Sequence, residues 1–345
     1  MPSTRVIAVD PDRPDPAALA LAAATLRAGG LVAFATETVY GLGADATSPE
    51  AVARIFEAKG RPATNPLIVH VEDKAAARAL VASWPDRAEA LADRFWPGPL
   101  TLVLPRSAII PDIVTAGTDT VGVRVPGPAV ARGLIAAAGR PIAAPSANRS
   151  TGISPTRAGH VLHDLDGKVD LILDSGPTTI GLESTVLDLS DGIPRILRPG
   201  EITRARLVEV LGDGIAVGRA PAGAGAVARS PGQMAIHYAP ITPTFRLERD
   251  RPVELGPTSG RHAFIEIGPS PQGWPVPPGS PDTIHRLPDP AVASRALYDL
   301  LHRLDEAALD GIFVLLPPDA PEWEAIRDRV WRATRPWPGG ANPPT

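Results

Sequence analysis

The chain has 345 residues, 44% of them hydrophobic and 21% charged, and a formal net charge of −4. That is the profile of an ordinary globular protein, long enough to build two hydrophobic cores. The acidic balance argues against a broad electrostatic grip on nucleic acid, the 4% aromatic content against a base-stacking platform, and the lack of cysteine excludes disulfides, thiolate nucleophiles and zinc-thiolate sites.

Asp15-Pro16 starts a helix whose apolar stretch runs through Leu26 and stops at Gly29-Gly30. Leu31–Ala35 reads as a short apolar strand. Ser48 and Pro49 then supply an N-cap and a first-turn proline for a helix that Gly60 ends just after Lys59. Further strands are expected at 67–71, 101–104, 121–125, 142–144, 171–173, 185–189 and 195–197, and helices at 74–82, 86–94, 128–138 and 203–211. The alternation predicts an α/β domain around a mixed, twisted sheet. The Gly-, Ala- and Pro-rich stretch 218–226 reads as a flexible linker. Beyond 244, strands at 262–267 and 312–316 and helices at 290–309 and 321–333 form a small second α/β unit, with a Pro-rich tail after Trp337. The expected boundaries are a catalytic domain over 1–212, a linker over 213–243 and a C-terminal domain over 244–340. No run of about eighteen apolar residues spans a membrane, and the N-terminus carries no apolar signal core, so a cytoplasmic location is expected.

Four stretches have the residue types for chemistry. Thr36-Glu-Thr-Val-Tyr-Gly-Leu-Gly43 follows a strand, and its hydroxyls and glycines suit a loop whose backbone approaches a ligand. Lys59-Gly-Arg-Pro-Ala-Thr-Asn-Pro-Leu67 combines a mobile point charge with a planar guanidinium in a proline-stiffened loop, as phosphate binding requires. Arg124 alternates with Val123 and Val125 on a strand, so an inward arginine there needs an anionic partner. Ala144-Pro-Ser-Ala-Asn-Arg-Ser-Thr-Gly-Ile-Ser-Pro-Thr156 gathers small donors after a buried strand. Taken singly, each also has a plain structural account. Lys59 complements a helix C-terminus, Arg61 is solvated, His70 is a core or edge histidine, and Arg124 sits in a salt bridge. No Gly-rich phosphate loop, dinucleotide fingerprint, serine elbow or metal-ligand spacing is present. These residues imply an α/β enzyme or binder for an anionic, phosphorylated ligand.

Read together, the stretches resemble the YrdC-like family of threonylcarbamoyl-AMP synthases. The matching order is 36–42, Lys-Gly-Arg-Pro (59–62), Asn-Pro-Leu-Ile-Val-His (65–70), Val-Arg-Val-Pro (123–126), Pro-Ser-Ala-Asn-Arg-Ser (145–150), Ser-Pro-Thr (154–156), Glu-Ser-Thr-Val (183–186) and Leu-Arg-Pro-Gly (197–200). The segment 230–240, Ser-Pro-Gly-Gln…His-Tyr-Ala-Pro, resembles that of the longer two-domain members. Ala35 departs from the proline many members carry before Thr36. The resemblance implies a twisted open sheet around a basic cavity and a small Rossmann-like C-terminal domain. It also implies a nucleotidyltransferase that uses ATP, L-threonine and bicarbonate to make threonylcarbamoyl-AMP and pyrophosphate. That product would pass to a separate transferase for N6-threonylcarbamoyladenosine formation in tRNA next to the anticodon. By the same resemblance, Lys59 and Arg61 would be catalytic and meet the phosphates, with Mg²⁺ arriving on ATP and no protein-bound metal. Thr36, His70, Arg124, Ser146 and Ser184 would bind threonine; Ala63, Thr120, Asn148, Thr156, Arg198 and Tyr238 would line the nucleotide side, with the linker as a lid. Two other readings are an RNA-binding or ribosome-maturation module and a carbamoyl-adenylate synthase. Stable nucleic-acid or membrane binding is not expected.

Overall fold

The computed structural model describes residues 3–218, 237–250, 260–271 and 284–337. Met1–Ser150 with Ser154–Gln233 forms one compact unit, and Thr151–Ile153 with Met234–Thr345 a second. The expected linker falls largely on 219–236, and the expected tail on 338–345; both lie outside the described residues.

The first unit carries strands β1 (Arg5–Ala8), β2 (Val32–Ala35), β3 (Tyr40–Asp45), β4 (Ile68–His70), β5 (Leu100–Pro105), β6 (Thr120–Arg124), β7 (Ile142–Ala143), β8 (Leu171–Asp174), β9 (Thr185–Asp188), β10 (Arg195–Arg198) and β11 (Ala216–Val217). They make one mixed sheet in the order β1-β8-β2-β3-β7-β4-β6-β5-β9-β10-β11. Its helices are α1 (Pro16–Arg27), α2 (Pro49–Lys59), α3 (Lys74–Ala79), α4 (Asp86–Phe95), α5 (Asp112–Thr115), α6 (Ala129–Ala138), α7 (Ala158–Leu165) and α8 (Arg204–Leu211). The helix starts follow from local chemistry. Asp15 accepts from the Ala17 amide at 3.0 Å and Ser48 from the Ala51 amide at 3.1 Å, each before a proline. Gly60 closes α2 in the left-handed region at φ 60°, where a glycine pays no Cβ penalty.

Both faces of the sheet's first half are covered, which makes β2 a continuous apolar run. Val32 and Phe34 pack with α1 and α6, while Ala33 and Ala35 join the larger core with α2, α4 and α7. In β4, β5 and β6 the alternation separates apolar from polar. Val69, Leu102 and Val123 enter the larger core, whereas His70, Thr101 and Arg124 share the opposite face with Ile68 and Val103. Register places His70 beside Arg124. That face holds His70, Thr101 and Arg124.

Several elements differ from the sequence expectation. Tyr40–Gly43 is strand, not loop: β3 pairs antiparallel with β2, so a hairpin stands where the sequence predicts a ligand-facing loop. Gly43 marks the reason, since a Cβ there would lie 2.9 Å from both Ile142 Cγ2 and Phe34 Cε1. The helix expected over 74–82 ends at Ala79, because Val81 bridges to Arg106 and the Ala82 amide donates to the Pro105 carbonyl at 2.8 Å. Helix α7 has no counterpart among the expected elements; it opens without a capping side chain and contains Gly159. Nor has the edge strand β1, which is mostly exposed.

The second unit is a parallel sheet, β14-β13-β15-β12-β16, built from β12 (Thr244–Leu247), β13 (His262–Ile267), β14 (Ile284–Leu287), β15 (Gly311–Leu315) and β16 (Arg335–Pro336). Helices α9 (Pro290–Glu306) and α10 (Glu324–Ala333) accompany it. Among the described residues no helix is long and apolar enough to cross a membrane.

Candidate active site

Lys59 sits at the last position of α2, held against the loop after β7. Its ammonium donates to Ser146 O at 2.7 Å, to Asn148 O, and to Asn148 Oδ1 at 3.3 Å. Ser146 Oγ donates to the same Asn148 Oδ1 at 2.6 Å. Burial and the nearby Arg61 charge push the lysine pKa well below its ordinary value, with Asp164 opposing. Three convergent oxygens match the three hydrogens of an ammonium; a neutral amine would turn a lone pair towards one of them. Lys59 is therefore charged, and its N–H groups are spent on the loop. Arg61 is also buried, donating from Nε to Asn65 O at 3.1 Å and from Nη2 to Pro66 O at 2.9 Å. It braces the turn that carries the exposed Ala63.

Arg124 is the charged centre of the polar face. Nε donates to Gly98 O at 3.1 Å, Nη1 to Thr38 Oγ1 at 3.1 Å, and Nη2 lies 2.9 Å from Glu37 Oε2. Glu37 also accepts from the Gly127 amide at 3.2 Å. The Thr36–Thr38 turn therefore serves the arginine. The Thr36 hydroxyl is absorbed locally, 2.7 Å from Thr38 Oγ1 and donating to Val39 O at 2.8 Å. Sequence reasoning places the Thr38 hydroxyl in a ligand-facing loop and does not single out Glu37. The signal available there is a carboxylate in a stretch already expected to face a ligand.

His70 lies next to Arg124 in register, its ring edge-on to Phe34. Burial and then the Arg124 charge lower its pKa from 6.5 to about 3. The unfolded chain binds this proton more tightly than the folded one. Stability from neutral His70 is thus complete above pH 6.5 and is lost as pH falls towards about 3. Equilibrium denaturation should show a loss of about 1.4 kcal/mol per pH unit from this group in that window. A His70→Gln variant should flatten that part of the profile; an acid limb identical to wild type would refute the assignment.

Ser184 precedes β9 and meets Thr101 Oγ1 at 2.8 Å and Arg198 Nη2 at 3.1 Å. Arg198 Nε also donates to the Ser184 carbonyl at 3.1 Å. Gly200 allows this approach: a Cβ there would fall 2.5 Å from the Thr185 amide nitrogen and 2.7 Å from the Glu183 carbonyl oxygen. Thr156 is buried beside His160 Nδ1, with its amide nitrogen at 3.3 Å. Thr120 is half-buried at the start of β6, and among the described residues its Oγ1 has no hydrogen-bond partner.

The residues thus fall into three groups in the first unit: Lys59 with Ser146 and Asn148, Arg124 with His70, and Ser184 with Arg198. Tyr238 belongs to the second unit, packed on Tyr298 at 5.7 Å with the Arg329 guanidinium 5.3 Å from its ring. Among the described residues no group of three His, Cys, Asp or Glu side chains could hold a metal ion.

Comparison with known proteins places this geometry. Residues 24–200 match the Sua5-YciO-YrdC family model, described as "Telomere recombination", and residues 202–334 match the model for the threonylcarbamoyl-AMP synthase C-terminal domain. The chain is 42% identical over 324 residues to the threonylcarbamoyl-AMP synthase of Bacillus subtilis, covering 91% of this chain and 92% of that one. It is 50% identical over 232 residues to the threonylcarbamoyl-AMP synthase of Pyrococcus abyssi, covering 67% of this chain and 68% of the relative. The crystal structure of P. abyssi Sua5 complexed with L-threonine matches with a TM-score of 0.85 at 38% identity, covering 96% of this chain and 99% of that one. Escherichia coli YciO, 23% identical with a TM-score of 0.52, shares the fold. The chain belongs to the Sua5-YciO-YrdC family, in the two-domain form that carries the threonylcarbamoyl-AMP synthase C-terminal domain.

Proposed function

We propose that this enzyme is a threonylcarbamoyl-AMP synthase that joins L-threonine, bicarbonate and MgATP and releases pyrophosphate. The observation that carries this reading is the likeness to the threonine-bound P. abyssi structure along nearly the whole chain. The local chemistry agrees with it. Arg124 donates to Gly98 and Thr38 and is ion-paired with Glu37, while its Nη2 has no hydrogen-bond partner among the described residues, which suits it to the threonine carboxylate.

The reaction balances without a protein nucleophile. The threonine ammonium and bicarbonate condense: the nitrogen bonds to the bicarbonate carbon, a C–O bond there breaks, and water and one proton leave, giving an N-carboxylate. One of its oxygens attacks the α-phosphorus, and the bond to pyrophosphate breaks. An anion attacking a polyanion needs fixed positive charge and alignment. Lys59 and Arg61 supply that charge and the stiffness of the loops they brace. Mg²⁺ enters as part of the nucleotide substrate. Thr36, His70, Ser146 and Ser184 would complete the amino-acid side, and Ala63, Thr120, Asn148, Thr156, Arg198 and Tyr238 the nucleotide side. The product is a reactive mixed anhydride, suited to hand-off in the cytoplasm to a transferase acting on tRNA.

The test is incubation of purified protein with MgATP and labelled bicarbonate, with and without L-threonine. Pyrophosphate and labelled adenylate should appear together and only with threonine. Neither product forming, alongside tight tRNA binding that weakens steeply with salt, would replace this reading with a nucleic-acid one.

A further inference from the structure

We propose that Thr101 is a positioning residue that makes Ser184 a one-way hydrogen-bond donor, so that Ser184 meets an acceptor oxygen of the amino-acid substrate and not its ammonium group. This rests on the synthase reading and adds a residue and a polarity to it.

The inference follows from counting hydrogens. Thr101 lies on β5 with 0% of its surface exposed. Ser184 Oγ, 2.8 Å away, is the partner of its hydroxyl, and among the described residues it has no other. A buried hydroxyl hydrogen with no acceptor is costly, whereas an unfilled acceptor lone pair costs less. The Thr101 hydrogen therefore points at Ser184. Arg198 has donors only, and its Nη2 reaches the same Ser184 oxygen at 3.1 Å. Both Ser184 lone pairs are thus filled by donors, and its own hydrogen is the one group left to give. Its carbonyl is held as well, by Arg198 Nε at 3.1 Å, which fixes its backbone beside the same guanidinium.

The surroundings agree in sign. Thr101 shares its sheet face with Arg124, and the charged group that touches the Ser184 hydroxyl is the Arg198 guanidinium. Such a site presents donors to an oxyanion or a hydroxyl oxygen. Thr101→Val keeps the branched shape of the side chain on a strand and removes the hydrogen that fixes Ser184. Ser184 can then donate into the protein or rotate, and the substrate loses its oriented donor.

The experiment uses the full-length enzyme, with KM for L-threonine, KM for ATP and kcat measured for wild type, Thr101→Val, Thr101→Ser, Ser184→Ala and the Thr101→Val/Ser184→Ala double variant. Thr101→Val should raise the threonine KM about tenfold, the loss of one well-oriented hydrogen bond, and leave the ATP KM within about twofold. Thr101→Ser should restore the wild-type value. In the Ser184→Ala background, Thr101→Val should change the threonine KM by less than about twofold. A purely packing role would fail to show that coupling and the serine rescue. Equal effects in both backgrounds, an unchanged threonine KM, or a rise in the ATP KM instead would each overturn the proposal. If valine at 101 prevents folding, Thr101→Ala carries the same comparison. A wild-type enzyme with no threonine-dependent turnover would instead bring down the synthase reading, so the two failures are distinct.

Discussion

Replacing Arg124 by leucine is expected to lower the melting temperature of the first unit by roughly 6–20 °C and to abolish measurable threonine binding. The guanidinium and the Glu37 carboxylate are both buried, with side chains 4% and 11% exposed. Removing the cation alone strands a carboxylate that keeps only the Gly127 amide at 3.2 Å. Breaking a buried pair from one side typically costs about 3–5 kcal/mol, because an uncompensated charge remains. For a unit of this size each kcal/mol moves the melting temperature by about 2–4 °C. The Glu37→Gln/Arg124→Leu double variant should regain most of the stability, since an amide is far cheaper to bury than a carboxylate. It should still fail to bind threonine by calorimetry. A single variant as stable as wild type would mean that Glu37 is effectively solvated. A double variant that binds threonine normally would remove Arg124 from the amino-acid site.

Replacing Lys59 by methionine is expected to reduce kcat by about 100–1,000-fold, the usual consequence of deleting one preorganised electrostatic group. The loss has two sources. Positive charge leaves the site, and the Ser146 and Asn148 oxygens lose the donor that gathers them. Buried acceptors without partners cost about 1–3 kcal/mol, so a modest stability loss should accompany the rate effect. Lys59→Arg should not rescue, because a planar fork cannot place three hydrogens on three oxygens converging at one point. The measurement is steady-state pyrophosphate release with unfolding followed in parallel. Turnover within threefold of wild type would show that the lysine is only a brace.

The two variants separate two kinds of charge. Arg124 is compensated inside the protein by Glu37, so it can receive a carboxylate without leaving the empty site strongly charged. Lys59 makes its hydrogen bonds to carbonyl and amide oxygens, and the Asp164 carboxylate acts on it without forming an ion pair. Its charge is therefore the one less neutralised by the protein, which fits a role beside a polyanion.

Much of the fold is legible in local chemistry. The caps at Asp15 and Ser48, the prolines after them and the left-handed Gly60 are single-residue signals whose geometry depends on few neighbours. Strands with a clear apolar run, such as β2, are equally legible. The failures share a cause. β3 carries glycines where the neighbouring backbone and Phe34 come too close for a side chain, and that crowding is set by β2 and β7 across the sheet. α3 ends early because the bridge from Val81 to Arg106 captures the chain. No reading along the sequence can weigh a partner twenty-five residues away.

The same division runs through the site. The sequence by itself determined the family, the alternation that puts Arg124 on the face opposite Val123, and the residue types available for an anionic ligand. Period-two alternation and short motifs are local properties, so they survive without coordinates. Only the tertiary structure decided who holds whom. It turned Lys59 from a free cation at a helix end into the centre of three oxygens. It gave Arg124 the Glu37 and Thr38 partners, and it set Thr101 against Ser184 from 83 residues away. Hydrogen-bond direction and charge compensation depend on which groups meet across the sheet, and that pairing is settled by strand order.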